Sequence, residues 1–461
     1  MNIYKLIILL SYGFVLLVTK HKALSQSCIT PPTKPNIIVG YYPAFKLNSK
    51  LGIDYNISSS ITHLNYIAFS PNDLLNGTGP FQVFQNKLDK FNDLTLYKNK
   101  NNLTFKLILS VLLPVNASDF IKFPPLRTGT YLPTDQQTKK FIDDLTNITT
   151  NYSFHGIDIE YPYKLPCFQQ PTLPQQQINF STIFVQFLND VSSRLKPLNK
   201  LLTVTAGQYP IDGISPANIS FINIQAFHLN INSAYSSAGI DNIQKIFSRW
   251  YNYVDKLQLV LGVEFGGVVE SVISNNITKD IENQNLTLVS GSNLKFPFAA
   301  EIIDDPCKNT SYAYLPWKNL TTFLSPPCYT SASSPWIYGF DNLKTKQSYI
   351  YQQYPGVSTQ FYYVSYDDFQ SLKYKLDFIK ENASGIAIAD VTRDFDNLML
   401  MNFISGNITP NSPSPENTTP NIGAIVGGTI GAWILINVLL VLILFRRYLK
   451  KKQYEGVAQM Y

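Results

Sequence analysis

Between Cys28 and about Ser405, short runs of β-branched and apolar residues alternate with longer segments whose apolar residues return at helical spacing. The strand-like runs are Ile37–Tyr42, Thr62–Phe69, Thr104–Leu112, Gly156–Tyr161, Leu202–Ala206, Phe221–Phe227, Gln258–Val263 and Gly385–Ala389. Helical periodicity covers Gln136–Thr146, Gln177–Leu195, Ile240–Tyr253 and Asp367–Glu381. Such alternation implies parallel βα units, and eight of them close most economically into a (β/α)8 TIM barrel, an α/β fold. A barrel of this kind needs about 250 residues, so the surplus must be housed elsewhere. The longest gap between strands runs from Val263 to Gly385 and predicts a small insertion between strands 7 and 8, at about 268–345.

The two ends of the chain follow different rules. Lys5, the apolar run Leu6 to Val18 and the small residues before Gln26 have the form of a signal peptide, expected at 1–25. Ile422 to Phe445 carries no charge and is long enough to cross a bilayer as a single helix. Arg446, Arg447, Lys450, Lys451 and Lys452 follow it, which predicts a basic cytoplasmic tail at 446–461 and an outward-facing N-terminal bulk. A Pro, Ser, Thr and Asn-rich stalk is expected at 406–421, after an ectodomain at 26–405. The expected location is therefore the cell membrane, as a single-pass type I protein. Gly423, Gly427 and Gly431 are spaced for close helix approach, so a helix-mediated dimer is a candidate.

Composition changes this picture little. The net charge of +6 is carried partly by the tail and the signal peptide, so nucleic acid is not implied. Charged residues are 15% of the chain while Tyr and Phe number 29 each, which suits a folded domain with aromatic surfaces rather than disorder. The 4 cysteines, Cys28, Cys167, Cys307 and Cys328, allow two disulfides in any of three pairings, of which Cys307 with Cys328 is expected. Asn-x-Ser/Thr sequons recur, among them Asn102, Asn147, Asn151, Asn218, Asn276 and Asn382. With 4 His in the chain, no metal-ligand cluster stands out, and neither a phosphate loop nor a nucleophile elbow is present, so no metal or cofactor is expected.

The chemistry concentrates in strand four. Asp158 and Glu160 are two residues apart, so both side chains point to the barrel interior near its C-terminal mouth, where TIM-barrel catalysis takes place. Two carboxylates so close disfavour joint ionisation, which raises the pKa of one and allows it to act as a general acid.

Several strands also resemble a known family. Val39-Gly40-Tyr41-Tyr42 followed by Ile61 to Phe69, Gly156-Ile157-Asp158-Ile159-Glu160-Tyr161-Pro162, and Val364 to Asp368 leading through Ser371 and Lys375 to Gly385 resemble the glycoside hydrolase family 18 chitinases, in order and spacing. The resemblance implies hydrolysis of β-linked N-acetylglucosamine polymers. Glu160 would protonate the glycosidic oxygen, the substrate's acetamido carbonyl would attack the anomeric carbon, and Asp158 would orient that group. Tyr41, Tyr161, Phe227, His228 and Tyr363 are the expected substrate-binding residues, and chitin or a related glycan the expected partner.

The chain departs from the family pattern Asp-Gly-x-Asp-x-Asp-x-Glu. Either an Asp-x pair has been deleted and Glu160 keeps the acid position, or Glu160 falls on the third aspartate and Pro162 on the acid. Phe227 replaces a tyrosine, Leu112 and Leu113 replace two glycines, and Ala389 replaces a tryptophan that floors the sugar subsite. A catalytically inactive, glycan-binding barrel is the alternative these losses raise.

Overall fold

The computed structural model describes residues 29, 33–46, 57, 59–75, 79–113, 133–161, 174–227, 238–283, 285–289, 300–305, 310–326, 328–394 and 398–406. The signal peptide, the stalk beyond Gly406, the apolar span 422–445 and the tail lie outside them. Among the described residues, no helix is long and apolar enough to cross a membrane.

All eight expected strands form, and they close into a parallel barrel. Seven come first: β1 (Ile37–Tyr42), β2 (His63–Ile67), β3 (Lys106–Val111), β4 (Gly156–Glu160), β5 (Leu201–Ala206), β6 (Phe221–Gln225) and β7 (Leu259–Val263). An inserted sheet follows, with β8 (Gly266–Ile273), β9 (Thr287–Leu288), β10 (Glu301–Asp305), β11 (Thr310–Pro316), β12 (Ile337–Phe340), β13 (Ser348–Gln353) and β14 (Gln360–Tyr366). The last barrel strand, β15 (Gly385–Ile388), then pairs with both β7 and β1 and closes the ring.

The period of two sorts each strand between two cores. On β4, Ile157 and Ile159 face the helical layer and join the large apolar core with Phe141, Leu145, Phe184 and Phe187. Asp158 and Glu160 face the other way. Inside the ring, Val39, Tyr41, Ile67, Phe221, Val260 and Ala387 form a smaller cluster. The strands pack tightly at Gly156, where a Cβ would lie 2.3 Å from the Leu201 carbonyl oxygen. Helix Gln136–Asn151 is capped by the Asp135 side chain, which accepts from the Thr138 amide, and buries Phe141, Ile142, Leu145 and Ile148 on one face. Two helices absent from the periodicity reading, Pro80–Gln85 and Leu88–Lys100, lie between β2 and β3; only Phe91 and Leu94 of the second are buried.

The insertion is larger than the pattern predicts. Its strands run from Gly266 to Tyr366 rather than 268–345, because β14 pairs antiparallel with β8 along its whole length instead of joining the last barrel unit. The order β10-β11-β8-β14-β13-β12 makes an antiparallel sheet, with β9 added at the end of β8. Cys328 is disulfide-bonded; Cys28, Cys167 and Cys307 lie outside the described residues. Of the sequons named above, Asn102, Asn147, Asn151 and Asn276 are exposed and Asn218 and Asn382 half-buried.

A buried ion pair joins the inserted sheet to the last βα unit. Lys375 Nζ lies 2.5 Å from Asp367 Oδ2, with both side chains 2% exposed. Burial pushes the lysine pKa down and the aspartate opposes that. Next to it, Asp368 caps helix Phe369–Asn382 in a reciprocal box with Ser371 and accepts from Ser348 of β13 at 2.6 Å. Removing one partner of such a pair leaves a buried charge, so Lys375→Met should cost about 3–5 kcal/mol in urea unfolding. The double variant Lys375→Met/Asp367→Leu should recover most of the loss. A single variant within about 1 kcal/mol of wild type would contradict the assignment of this pair as the joint.

Candidate active site

The register places the interior side chains in layers. Around the ring it shifts by one residue per strand on average, as closure of an eight-stranded barrel with tilted strands requires. Asn65, Asp158, Asn223 and Ala387, from alternate strands, therefore share one layer. Tyr41, Ser110, Thr205 and Gly262 from the intervening strands lie just above, and Ile67, Glu160 and Gln225 above those, with Ala389 just past the end of β15. The last of these layers is at the carboxyl ends of the strands.

Asp158 is 0% exposed. Its Oδ1 accepts from Thr203 Oγ1 at 2.7 Å and its Oδ2 from Ser110 Oγ at 2.9 Å, while Thr205 Oγ1 lies 3.2 and 3.0 Å from the two oxygens. The Tyr41 hydroxyl adds a longer contact of 3.4 Å. Burial raises the Asp158 pKa, the three shorter hydroxyl contacts oppose the shift, and the charge of Glu160 adds to it. The raised member is Asp158, and burial, not the repulsion between the two carboxylates on which the expectation rested, is the chief cause. The expectation that Asp158 orients a substrate group does not fit this geometry, since both of its oxygens are occupied inside the ring.

Glu160 is the last residue of β4 and 7% exposed. Gln225 Nε2, on β6, donates to its Oε1 at 3.2 Å. Gln225 was not among the expected site residues. Its signal was available, because it follows Asn223 by two on the same strand face and ends β6 at the same end of the barrel.

The expected substrate-binding residues are dispersed. Tyr41 is inside the ring, where its hydroxyl is hydrogen-bonded to Thr205, accepts from Asn223 Nδ2 at 2.7 Å and reaches Asp158. Burial raises its pKa well above the usual tyrosine value. Tyr161 follows Glu160 by one and so faces the helices: its hydroxyl is 2.9 Å from Ser181 Oγ and its ring packs on Phe184. Tyr363 lies on β14 of the inserted sheet, 4% exposed, opposite Glu270 and against Tyr349. Phe227 is half-buried two residues beyond β6, and His228 lies outside the described residues. His63, at the opposite end of the barrel, packs edge-on against Phe221, and burial lowers its pKa to about 4. Among the described residues no group of His, Cys, Asp and Glu could hold a metal ion.

One feature of the mouth had no sequence signal. Beside Ala389, Arg393 pairs with Glu264 after β7, with Glu301 of β10 at 2.9 Å and with Asp390 at 3.6 Å, and its guanidinium lies 4.1 Å from the Tyr314 ring centre. This cluster ties the inserted sheet to the barrel rim.

A closed parallel barrel with a carboxylate at its C-terminal rim and an inserted sheet tied beside it is a TIM-barrel enzyme scaffold. The chain belongs to the glycosyl hydrolases family 18, whose family model matches residues 37–412, and this places it among the glycosidases. No curated protein matches the sequence. Among solved structures, the family GH18 chitinase of Cycas revoluta in complex with allosamidin is similar at 18% identity and a TM-score of 0.56, over 80% of this chain and 99% of that one. A chitinase of Rhizomucor miehei matches at 17% and 0.57 over 80% and 99%. The spore cortex-lytic enzyme SleL of Bacillus megaterium matches at 12% and 0.53, over 82% and 75%. At these identities the likeness concerns the fold.

The raised pKa of Asp158 has a measurable consequence. A carboxyl whose folded-state pKa exceeds its unfolded value contributes stability that is complete below the unfolded value and is lost as pH rises through the folded one. Asp158→Asn keeps the shape and cannot ionise. The unfolding free energy of wild type minus that of the variant should therefore decrease as pH is raised from below 3.8 toward neutrality. A difference that increases with pH would show that the hydroxyls outweigh burial.

Proposed function

We propose that the barrel is a chitinase-like glycosidase acting on β-linked N-acetylglucosamine polymers, with Glu160 as general acid and base. The observation that carries this reading is the position of Glu160: it is the inward-facing residue of β4 nearest the mouth, and its Oε1 accepts from Gln225. The nucleophile would be the substrate's own acetamido oxygen, so the site needs no second enzyme carboxylate within reach of the anomeric carbon. The Cycas revoluta chitinase has been solved with (GlcNAc)3 and (GlcNAc)4, which supports the choice of polymer by analogy of fold.

A second reading, a glycan-binding barrel without turnover, is favoured by the occupied oxygens of Asp158 and by Leu112, Phe227 and Ala389 where the family has glycine, tyrosine and tryptophan. We also infer that the domain is glycosylated and displayed outside the cell by the apolar segment at 422–445, with the basic tail inside; the exposed sequons and the charge asymmetry support this.

The discriminating experiment uses Glu160→Gln, which keeps shape and hydrogen bonding and removes the proton donor. Retention on chitin should persist, while hydrolysis of N-acetylglucosamine oligomers should fall by about two orders of magnitude or more. Wild type that binds oligomers without turnover from acidic to neutral pH would establish the second reading. Gln225→Met should lower turnover and leave retention intact, because it removes the hydrogen bond that Glu160 Oε1 accepts; an unchanged rate would remove Gln225 from the site.

A further inference from the structure

The middle layer of the barrel contains polar atoms that the protein does not satisfy. Asn65, 0% exposed, has neither its Nδ2 nor its Oδ1 in a hydrogen bond, and Asn223, 1% exposed, has its Oδ1 unpaired. An unsatisfied buried amide is costly, and such groups rarely persist without a partner. Reorienting the amides does not help. Turning Asn65 over exchanges one unpaired atom for the other, and turning Asn223 over leaves its nitrogen unpaired in place of its oxygen.

Nearby groups cannot take up the deficit. The Asn65 amide is close enough to influence the Tyr41 hydroxyl, yet hydrogen-bond geometry is not met, and that hydroxyl is already engaged by Thr205, Asn223 and Asp158. Asp158 in turn is occupied by Ser110, Thr203 and Thr205. Asn65 and Asn223 belong to the second and sixth strands of the ring and thus face each other across it. The fourth member of their layer is Ala387, and Gly262 is in the layer above, so two of the positions around them contribute little volume.

We propose that Asn65 and Asn223 bind one internal water molecule at the centre of the barrel, two layers beneath Glu160 and Gln225. The chemistry of the unpaired atoms selects water over a cation. Asn65 offers a donor and an acceptor together with the acceptor of Asn223, and a water both accepts and donates, satisfying all three. A sodium or potassium ion would satisfy only the oxygens and would face the Nδ2 hydrogens. The water completes the polar floor under the rim carboxylate, and it does not depend on whether the rim is catalytic.

Two measurements on the full-length protein test this. A high-resolution crystal structure grown with rubidium should show a single ordered density about 2.7–3.2 Å from Asn65 and Asn223 with no anomalous signal. A rubidium peak there, or no density, would overturn the proposal. The second measurement is hydrogen exchange of the barrel amides in Asn65→Leu, which is close in volume and has no polar atoms. If a water bridges the two asparagines, the variant strands it and leaves Asn223 unpaired, and protection should fall about tenfold. If the layer is dry, removing two unsatisfied atoms should leave protection unchanged or raise it, and either result would overturn the proposal. Should the variant not fold, the wild-type crystal still decides the matter.

Discussion

The organisation of this barrel depends on a buried carboxylate whose hydrogen-bond partners are all hydroxyl groups. Taking Asp158 out of water costs several kcal/mol unless its oxygens are satisfied. Three strands share that task, through Tyr41 on β1, Ser110 on β3, and Thr203 and Thr205 on β5, with β4 carrying the acid itself. These hydroxyls reach Asp158 only if the register between β3, β4 and β5 is the one observed, in which Ser110 and Thr203 lie directly beside it. A slip of one residue would turn the hydroxyls toward the apolar helical layer and bring Ile157 or Ile159 into the ring. The acid therefore specifies register as much as it contributes charge.

Fixing that register fixes the rim. Glu160 comes two residues after Asp158 and is carried to the mouth on the same face, and the pairing of β5 with β6 brings Gln225 to the same end. On the far side of the mouth the constraint is ionic. Arg393 holds Glu264, Asp390 and Glu301 together. A guanidinium with three carboxylates around it is not free to bind an anion. Its contribution is to hold β10 and β11 against the rim, so one wall of the mouth is positioned by charge and the other by strand pairing.

The barrel was legible in the sequence because strand and helix periodicities survive wherever one face is buried, and each of the eight apolar runs became a barrel strand. The aromatic site residues were less legible, for reasons that differ from residue to residue. Tyr161 fails by parity: a residue next to an inward-facing glutamate faces outward, and Ser181 and Phe184 receive it. Tyr41 has the right parity but lies one layer too deep. Tyr363 belongs to a strand whose partner, β8, is nearly a hundred residues earlier in the chain, a pairing that local pattern does not reveal. Gln225 was visible by parity, two residues after Asn223, but its meeting with Glu160 depends on a register that no local pattern reveals. The Arg393 cluster joins three elements distant in sequence, so nothing local announces it.

Strand four is held in place along its whole length. Gly156 to Glu160 pair without interruption against Leu201 to Thr205, so no bulge or slip lies within β4. Gly156 cannot move along the strand, because a side chain in its place would strike the Leu201 backbone. Asp158 is anchored from both sides. The register of β4 is therefore fixed whichever way its motif aligns with the family pattern. This leaves Glu160 one step above a layer that cannot shift. A glutamate there has one more methylene than an aspartate, and its carboxyl extends toward the mouth by that amount while the backbone stays where the hydroxyl network holds it. The position of the rim carboxyl is thus set by side-chain reach from a fixed strand, where its Oε1 accepts from Gln225 Nε2.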